Sequence, residues 1–386
     1  MGSCLWRGIH AWGGVAAGGF MGVRTRIAAI AALALTGSAL VAGQAQAGGS
    51  HGTLTPVITG LDSPRGVALH GGTIIYSVGD GSVYAKYGSR TRLLGKVGEG
   101  FAPAIDTNIW GTTYALTGGG GPGESLPPGA ATLYRLRPGK SPVKVAEIGK
   151  YQVKDPDPYD LENVPTDSNP FGVAALKDGT VLVADAGGND LLRVWPNGTI
   201  KTVARLKPRV VTVPPGLPTG PEAPPSPPAG SRIPAEAVTT SVTVGSDGYW
   251  YVGELRGFPA TPGTSQIWRI KPGSVGAVCD PVKPWKGNCT RYADGYTSIM
   301  DLAGGPKGTL AVVELSKASW LAAETGGSTV GSLFLQYPGK YHKAGVKREL
   351  AAGKLILPGG TAVSRAGDVY VSSPLFGPGT IYKVKH

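Results

Sequence analysis

One phrase recurs along this 386-residue chain: a turn, a short apolar strand of the G-V-A-x type, a Gly-centred turn and a second apolar strand. It reads SPRGVALHGGTIIYSV from Ser63, NPFGVAALKDGTVLVAD from Asn169, TTSVTVGSDGYWYVGE from Thr239, SIMDLAGGPKGTLAVVE from Ser298 and GGTAVSRAGDVYVSS from Gly359. A unit of this size cannot bury both faces of its own sheet, so the copies must pack around a common axis. A worn copy, NIWGTTYALTGGGG from Asn108, fills the double-length gap between the first two and brings the count to six. The expected fold class is all-β: a six-bladed β-propeller of the TolB-like or NHL-like kind, with inner strands over 66–69, 172–176, 241–245, 299–303 and 361–364.

Copies also end alike, in LYRLRPGK from Leu133, LLRVWPNGT from Leu191 and IWRIKPGS from Ile267, where alternating residues around a Pro/Gly turn mark a solvent-facing hairpin. The last copy stops at TIYKVKH, one strand short, and LTPVITG from Leu54 can supply the missing strand. The N-terminal strand then completes the last blade and leaves no open edge. With 62 Gly and 33 Pro, helix is expected only as a turn or two near SKASWLAAE from Ser316. The ten prolines of 208–234 predict a stiff polyproline-like excursion between the third and fourth blades, inside one propeller domain spanning 48–386.

Residues 1–47 stand apart. From Met21 the chain reads MGVRTRIAAIAALALTGSALVAGQAQA, with a basic start, an apolar stretch and small residues at Ala45 and Ala47. That is the layout of a secretory signal peptide cleaved after Ala47, preceded by an upstream extension, and it predicts an exported protein with no membrane span after cleavage. Removing it takes three arginines and no acid from a formal charge of +12, leaving +9. The remaining cations are scattered and no nucleic-acid-binding module accompanies them, so nucleic acid is not an expected partner. Cys279 and Cys289 remain as an even pair, expected to form a disulfide in an oxidising compartment.

Propeller geometry gathers the loop entering each first strand and the loop leaving each second strand onto one face. There it places Arg65, Asn169, Thr240 and Asp301 from entry segments, and Asp80, Asp185, Asn189, Asp190, Glu254 and Glu314 from second-strand ends. Asp185 and Asn189 flank Gly187 and Gly188, so backbone can approach a ligand there. Oxygen donors from Asp185, Asn189, Glu254 and Glu314 suit a hard cation such as calcium, whereas the same groups can equally fasten loops. Glu254 and Glu314 occupy matching positions and are the candidate catalytic carboxylates, as metal ligands or an acid/base pair. The acidic run DPDPYDLE from Asp155 lacks the Gly of a calcium loop and reads as a solvated connector.

Taken together, LDSPRGVAL, NPFGVAAL, VADAGGNDLLRVWPNGT, VGELRGFPATPG, SIMDLA and GGTAVSRAGDVYVSS resemble the scytonemin-cluster D/E-type family of exported bacterial proteins, from about Val57 to the C-terminus. The resemblance implies a six-bladed TolB-like propeller outside the cytoplasm and little about reaction chemistry. The chain departs from the family in HGGTIIYSVGDGS, where Ser77 and Asp80 stand in place of an acidic-Gly loop. The expected function is a secreted, monomeric binding or scaffold module for an unknown ligand, an extracellular protein or a cell-wall polymer, with a cation at one channel mouth. The rival expectation is a metal-dependent hydrolase or lyase of the propeller lactonase or streptogramin-lyase kind.

Overall fold

The computed structural model describes residues 52–98, 101–120, 126–217 and 226–386. The expected signal peptide lies outside the described residues, as does the centre of the proline-rich excursion.

The chain enters through β1 (Thr53–Asp62). Blade one follows as β2 (Val67–His70), β3 (Thr73–Ser77), β4 (Ser82–Tyr87) and β5 (Arg90–Lys96), and blade two as β6 (Ala104–Thr107), β7 (Thr113–Leu116), β8 (Thr132–Leu136) and β9 (Val143–Glu147). A short helix, α1 (Ile148–Gln152), leads to blade three: β10 (Pro170–Ala175), β11 (Val181–Asp185), β12 (Asp190–Val194) and β13 (Ile200–Leu206). The hairpin of β14 (Arg209–Thr212) and β15 (Arg232–Ala235) precedes blade four, made of β16 (Thr239–Val244), β17 (Trp250–Glu254) and β18 (Ser265–Ile270) and, after the detour of β19 (Ala277–Cys279), β20 (Cys289–Tyr296). Blade five is β21 (Ile299–Gly304), β22 (Leu310–Glu314), β23 (Ser332–Pro338) and β24 (Ala344–Leu350), with α2 (Trp320–Glu324) between its second and third strands. Blade six is β25 (Thr361–Val363), β26 (Val369–Ser373) and β27 (Pro378–Lys385).

The six sheets confirm the propeller, and β1 pairs antiparallel with β27 to complete blade six. In this way the first strand and the last lock the ring, which removes the open edge an isolated three-stranded blade would present. The inner strands approach closely enough to demand small residues: a Cβ on Gly172 would lie 2.7 Å from Ser241 Cα in the neighbouring blade. Apolar side chains of adjacent blades then fill the wedges, as where Ala104, Leu116 and Ile148 pack with Val173, Val183 and Leu192.

Three local expectations change. The worn second blade has its inner strand at β6, so Asn108 opens the following turn, where its Oδ1 accepts from Trp110 N at 3.0 Å and Thr112 N at 3.0 Å. The proline-rich excursion is not extended throughout: its base zips into β14 and β15, because Val210, Val211, Thr212 and Ile233 form a short β-pairing register. After IWRIKPGS the chain does not fold straight back. It adds β19 as a parallel fifth strand to blade three, beside β13, and returns through the Cys279–Cys289 disulfide to β20 of blade four. The expected bond is therefore present, with Cα atoms 5.0 Å apart, and it staples two blades together.

Candidate functional site

Every candidate residue from the sequence sits on or below the expected face, but their oxygens serve separate structural tasks. Asp185, fully buried at the end of β11, accepts from Ser168 Oγ at 2.7 Å, Asn169 N at 2.7 Å and Gly187 N at 3.1 Å. Gln152 from α1 donates to Asp185 at 3.2 Å and to both oxygens of buried Asp190 at 3.2 Å. Burial first, and the Asp185 charge second, raise Asp190 well above the ordinary carboxyl range. The two glycines thus make room for the protein's own chain: a Cβ on Gly188 would collide with the Gln152 amide, and one on Gly187 would lie 2.9 Å from Asn169 N.

Asn189, at a positive φ of 48°, receives Val238 N on its Oδ1 and donates to Asp157 at 3.1 Å and Glu236 at 3.2 Å. This corrects the reading of the acidic run as a solvated connector: Asp157 is only 5% exposed, and Leu161 N donates to Glu236 at 2.7 Å, so the run is tied down over blades three and four. Asn169 receives Gly119 N at 3.0 Å, and Thr240 donates to the Ile299 carbonyl of the next blade at 2.5 Å. Asp80 remains at the edge of blade one, bonded to Ser82 and 3.6 Å from Lys96.

Glu254 and Glu314 do not meet as a pair. Glu254 is fully buried, ion-paired to buried Arg256, and also accepts from Trp268 Nε1 at 2.6 Å and Gln266 N at 3.1 Å. Glu314 accepts from Thr297 N at 2.7 Å, and burial lifts it to about 7. Among the described residues no group of three or more His, Cys, Asp or Glu is arranged to hold a metal ion. The four expected cation ligands are thus not brought together by the fold.

Arg65 occupies the channel itself. Its Nη1 donates to the Ala102 carbonyl at 3.2 Å and its Nη2 to the Phe171 carbonyl, joining blade one to blades two and three. The guanidinium lies over Phe171 at 3.9 Å and Phe101 at 4.9 Å from the ring centroids. Desolvation lowers its pKa to about 10, with Asp301 opposing. Beside it a small cavity is lined by Gly66, Gly172, Met300, Asp301 and Gly360 among others. Asp301 and its counterpart Asp106 each bond a backbone N–H of the next blade, Thr361 N and Ala175 N, both at 2.8 Å, and burial raises them to about 7 and about 6.

Sequence reasoning missed the aromatic character of the mouth. Of the chain's six phenylalanines, Phe101, Phe171, Phe258 and Phe376 join one cluster there with Leu255, Trp320, Leu357 and Leu375. Phe101 lies 6.4 Å from Phe171 and 6.5 Å from Phe376, and Leu217 from the excursion packs on the same cluster. The signal was available: each of the four stands beside Gly or Pro (GFAP, NPFG, GFPA, LFGPG), three of them in loops and Phe171 at the start of β10. Beside them, a small pocket between blades three, four and five is lined by Glu162, Asp167, Glu236, Gly187, Phe258 and Trp320 among others. Burial and the neighbouring Glu236 push Glu162 up to about 9, and burial lifts Glu236 to about 7. Trp320 is held by its indole N–H on the Arg256 carbonyl at 2.8 Å.

The arrangement defines the class: a six-bladed β-propeller whose mouth is closed by a buried arginine, four phenylalanines and an acidic strap. No protein-family model matches the chain, and no curated protein sequence does. Among solved structures, it is similar to a glucose dehydrogenase at 12% identity and a TM-score of 0.51, covering 86% of this chain and 99% of that one. A PQQ-bound aldose sugar dehydrogenase from Streptomyces coelicolor aligns at 13% identity and 0.49 over 87% and 99%, and a streptogramin B lyase at 12% and 0.41 over 87% and 97%. The likeness to the glucose dehydrogenase shows the fold alone, and the other two add nothing to it.

Proposed function

We propose that the protein is a secreted binding module that takes an apolar or aromatic portion of an extracellular ligand at the channel mouth. The observation that carries this reading is the clustering of Phe101, Phe171, Phe258 and Phe376 with Trp320 at the mouth, where Phe258 and Trp320 share a pocket with Glu162, Asp167 and Glu236. Concave apolar surface with a few convergent polar groups is what small-ligand sites are made of. Export is part of the proposal and is supported by the layout of 21–47 and by a disulfide, a bond that persists in oxidising compartments. The rival reading, calcium-assisted hydrolysis or elimination through Asp185, Asn189, Glu254 and Glu314, is less well supported because those groups are spent on Ser168, Gln152, Arg256, Trp268 and backbone amides.

The test is thermal unfolding against a panel of aromatic and amphiphilic small molecules, neutral, anionic and cationic, and against calcium with and without chelator. A ligand at roughly a hundredfold its Kd adds about 2.7 kcal/mol, a shift of several degrees. The expected hit is an aromatic compound whose effect is lost in Phe258→Ala and altered in Glu162→Gln. A shift from calcium that Asp185→Ala abolishes would put the metal reading in its place.

A further inference from the structure

The face opposite the mouth carries a second feature that the mouth reading does not use. There the turns joining first to second and third to fourth strands expose Tyr87 (67%), Ile109 (56%) and Trp110 (74%). These side chains are not loosely placed. Asn108 Oδ1 clamps the turn by accepting from Trp110 N and Thr112 N, and the Trp110 indole donates to the Lys177 carbonyl of blade three at 3.1 Å. On the other side His70 Nε2 stands 3.1 Å from the place of a Gly111 Cβ, and the Tyr87 ring stands 3.3 Å from that of Gly72. The result is a continuous strip under blades one to three, with a rigid turn presenting an aliphatic and an aromatic side chain together.

The charge around the strip has one sign. Lys140, Lys177, Lys271, Lys307 and Arg365 occupy turns of this face, are exposed, and have no ion pair among the described residues. The acids of the same turns are neutralised: Asp178 by Arg193 at 2.5 Å, Asp247 by Arg269 at 3.0 Å and Asp368 by Lys383 at 2.8 Å. The acid-rich strap over 155–167 lies on the opposite, mouth face.

We propose that this underside docks the protein on an anionic lipid bilayer, with Ile109 and Trp110 entering the headgroup region and the lysines meeting lipid phosphates. Exposed Trp and Tyr favour the membrane interface, and each cation near an anionic leaflet adds to the attraction. A soluble polyanion would use the lysines but gives no reason for an exposed Ile109 beside a Trp110 whose N–H is already bonded. Docking in this orientation leaves the mouth pointing away from the bilayer, so the inference stands independently of what the mouth binds.

The experiment is co-sedimentation of the purified chain with vesicles of phosphatidylglycerol and phosphatidylcholine, with phosphatidylcholine alone, and retention on immobilised polyphosphate. Sedimentation is expected only with the anionic vesicles. It should fall at about 0.5 M salt, where the screening length is only a few ångströms. Ile109→Ser with Trp110→Ser should weaken it about tenfold or more, as should Lys140→Glu with Lys177→Glu, each with an unchanged melting temperature. Should the first pair unfold, the charge pair still decides. No sedimentation, equal sedimentation with neutral vesicles, or polyphosphate binding that ignores the Ile109/Trp110 change would each overturn the proposal.

Discussion

The guanidinium of Arg65 stacks 3.9 Å above the ring of Phe171 while donating a hydrogen bond to the carbonyl oxygen of the same residue. One side chain thus closes the channel, braces blade one against blade three and shields its own charge with aromatic faces. Arg65→Ala leaves buried carbonyls at Phe171 and Ala102 without donors and opens a void, and should cost about 3 kcal/mol or more. Arg65→Lys keeps the charge without the planar fork and should cost less. Denaturant unfolding of both variants ranks them; equal, near-zero losses would contradict the bracing role.

Glu254 and Arg256 form an ion pair that is almost wholly removed from water, with side-chain exposures of 0% and 1%. Removing one partner strands the other, so Glu254→Gln or Arg256→Met alone should cost about 3–5 kcal/mol. The double variant should recover part of that loss. Additive losses in the cycle would show that the two do not act as a pair.

Acidification should stabilise the protein. Burial raises Asp106 to about 6, Asp301, Glu236 and Glu314 to about 7, and Glu162 to about 9. The folded state therefore holds protons that the unfolded chain, with carboxyl pKa values near 4, gives up. Stability is lost as pH rises through these folded values and is regained on descent from about pH 8 to about pH 5, seen as a rise in melting temperature. Below about pH 4 the sign reverses, because Asp178, Asp247 and Asp280 have lowered values and lose their partners on protonation. A flat profile between pH 5 and 8 would refute the burial of these groups.

The disulfide joins β19, in the sheet of blade three, to β20 of blade four, over a sequence separation of 10. Its removal by Cys279→Ser with Cys289→Ser should cost about 2–3 kcal/mol. Thiol titration of the native protein should find neither cysteine free. One reactive thiol at either position is the result that excludes the staple.

Deleting residues 53–60 takes away most of β1 and exposes the edge of β27 from Lys385 to Ile381, which those residues pair. A drop of several degrees in melting temperature and faster aggregation are expected. An unchanged melt would mean the ring closes without that strand.

Much of this was legible in the sequence because propeller blades are local. Each G-V-A-x phrase contains a strand, a turn and a partner strand, so hydrophobic spacing and Gly turns suffice to announce them, and the missing strand after TIYKVKH announces its replacement. The Cys279–Cys289 bond followed from an even count. The face on which Arg65, Asp185, Glu254 and Glu314 lie followed from alternating strand direction alone.

What only the tertiary structure decided is which partner each polar group takes. Asp185 and Asp190 meet Gln152, Glu254 meets Arg256 and Trp268, and Asp157 meets Asn189, through loops and a short helix that carry no repeat. The fate of a carboxylate depends on donors within about 3 Å, and in a ring those donors come from segments far apart in sequence. The same holds for the mouth: four phenylalanines from four separate segments become one cluster only when the blades close around the axis. Periodicity along the chain specifies the ring, and contact across the ring specifies the site.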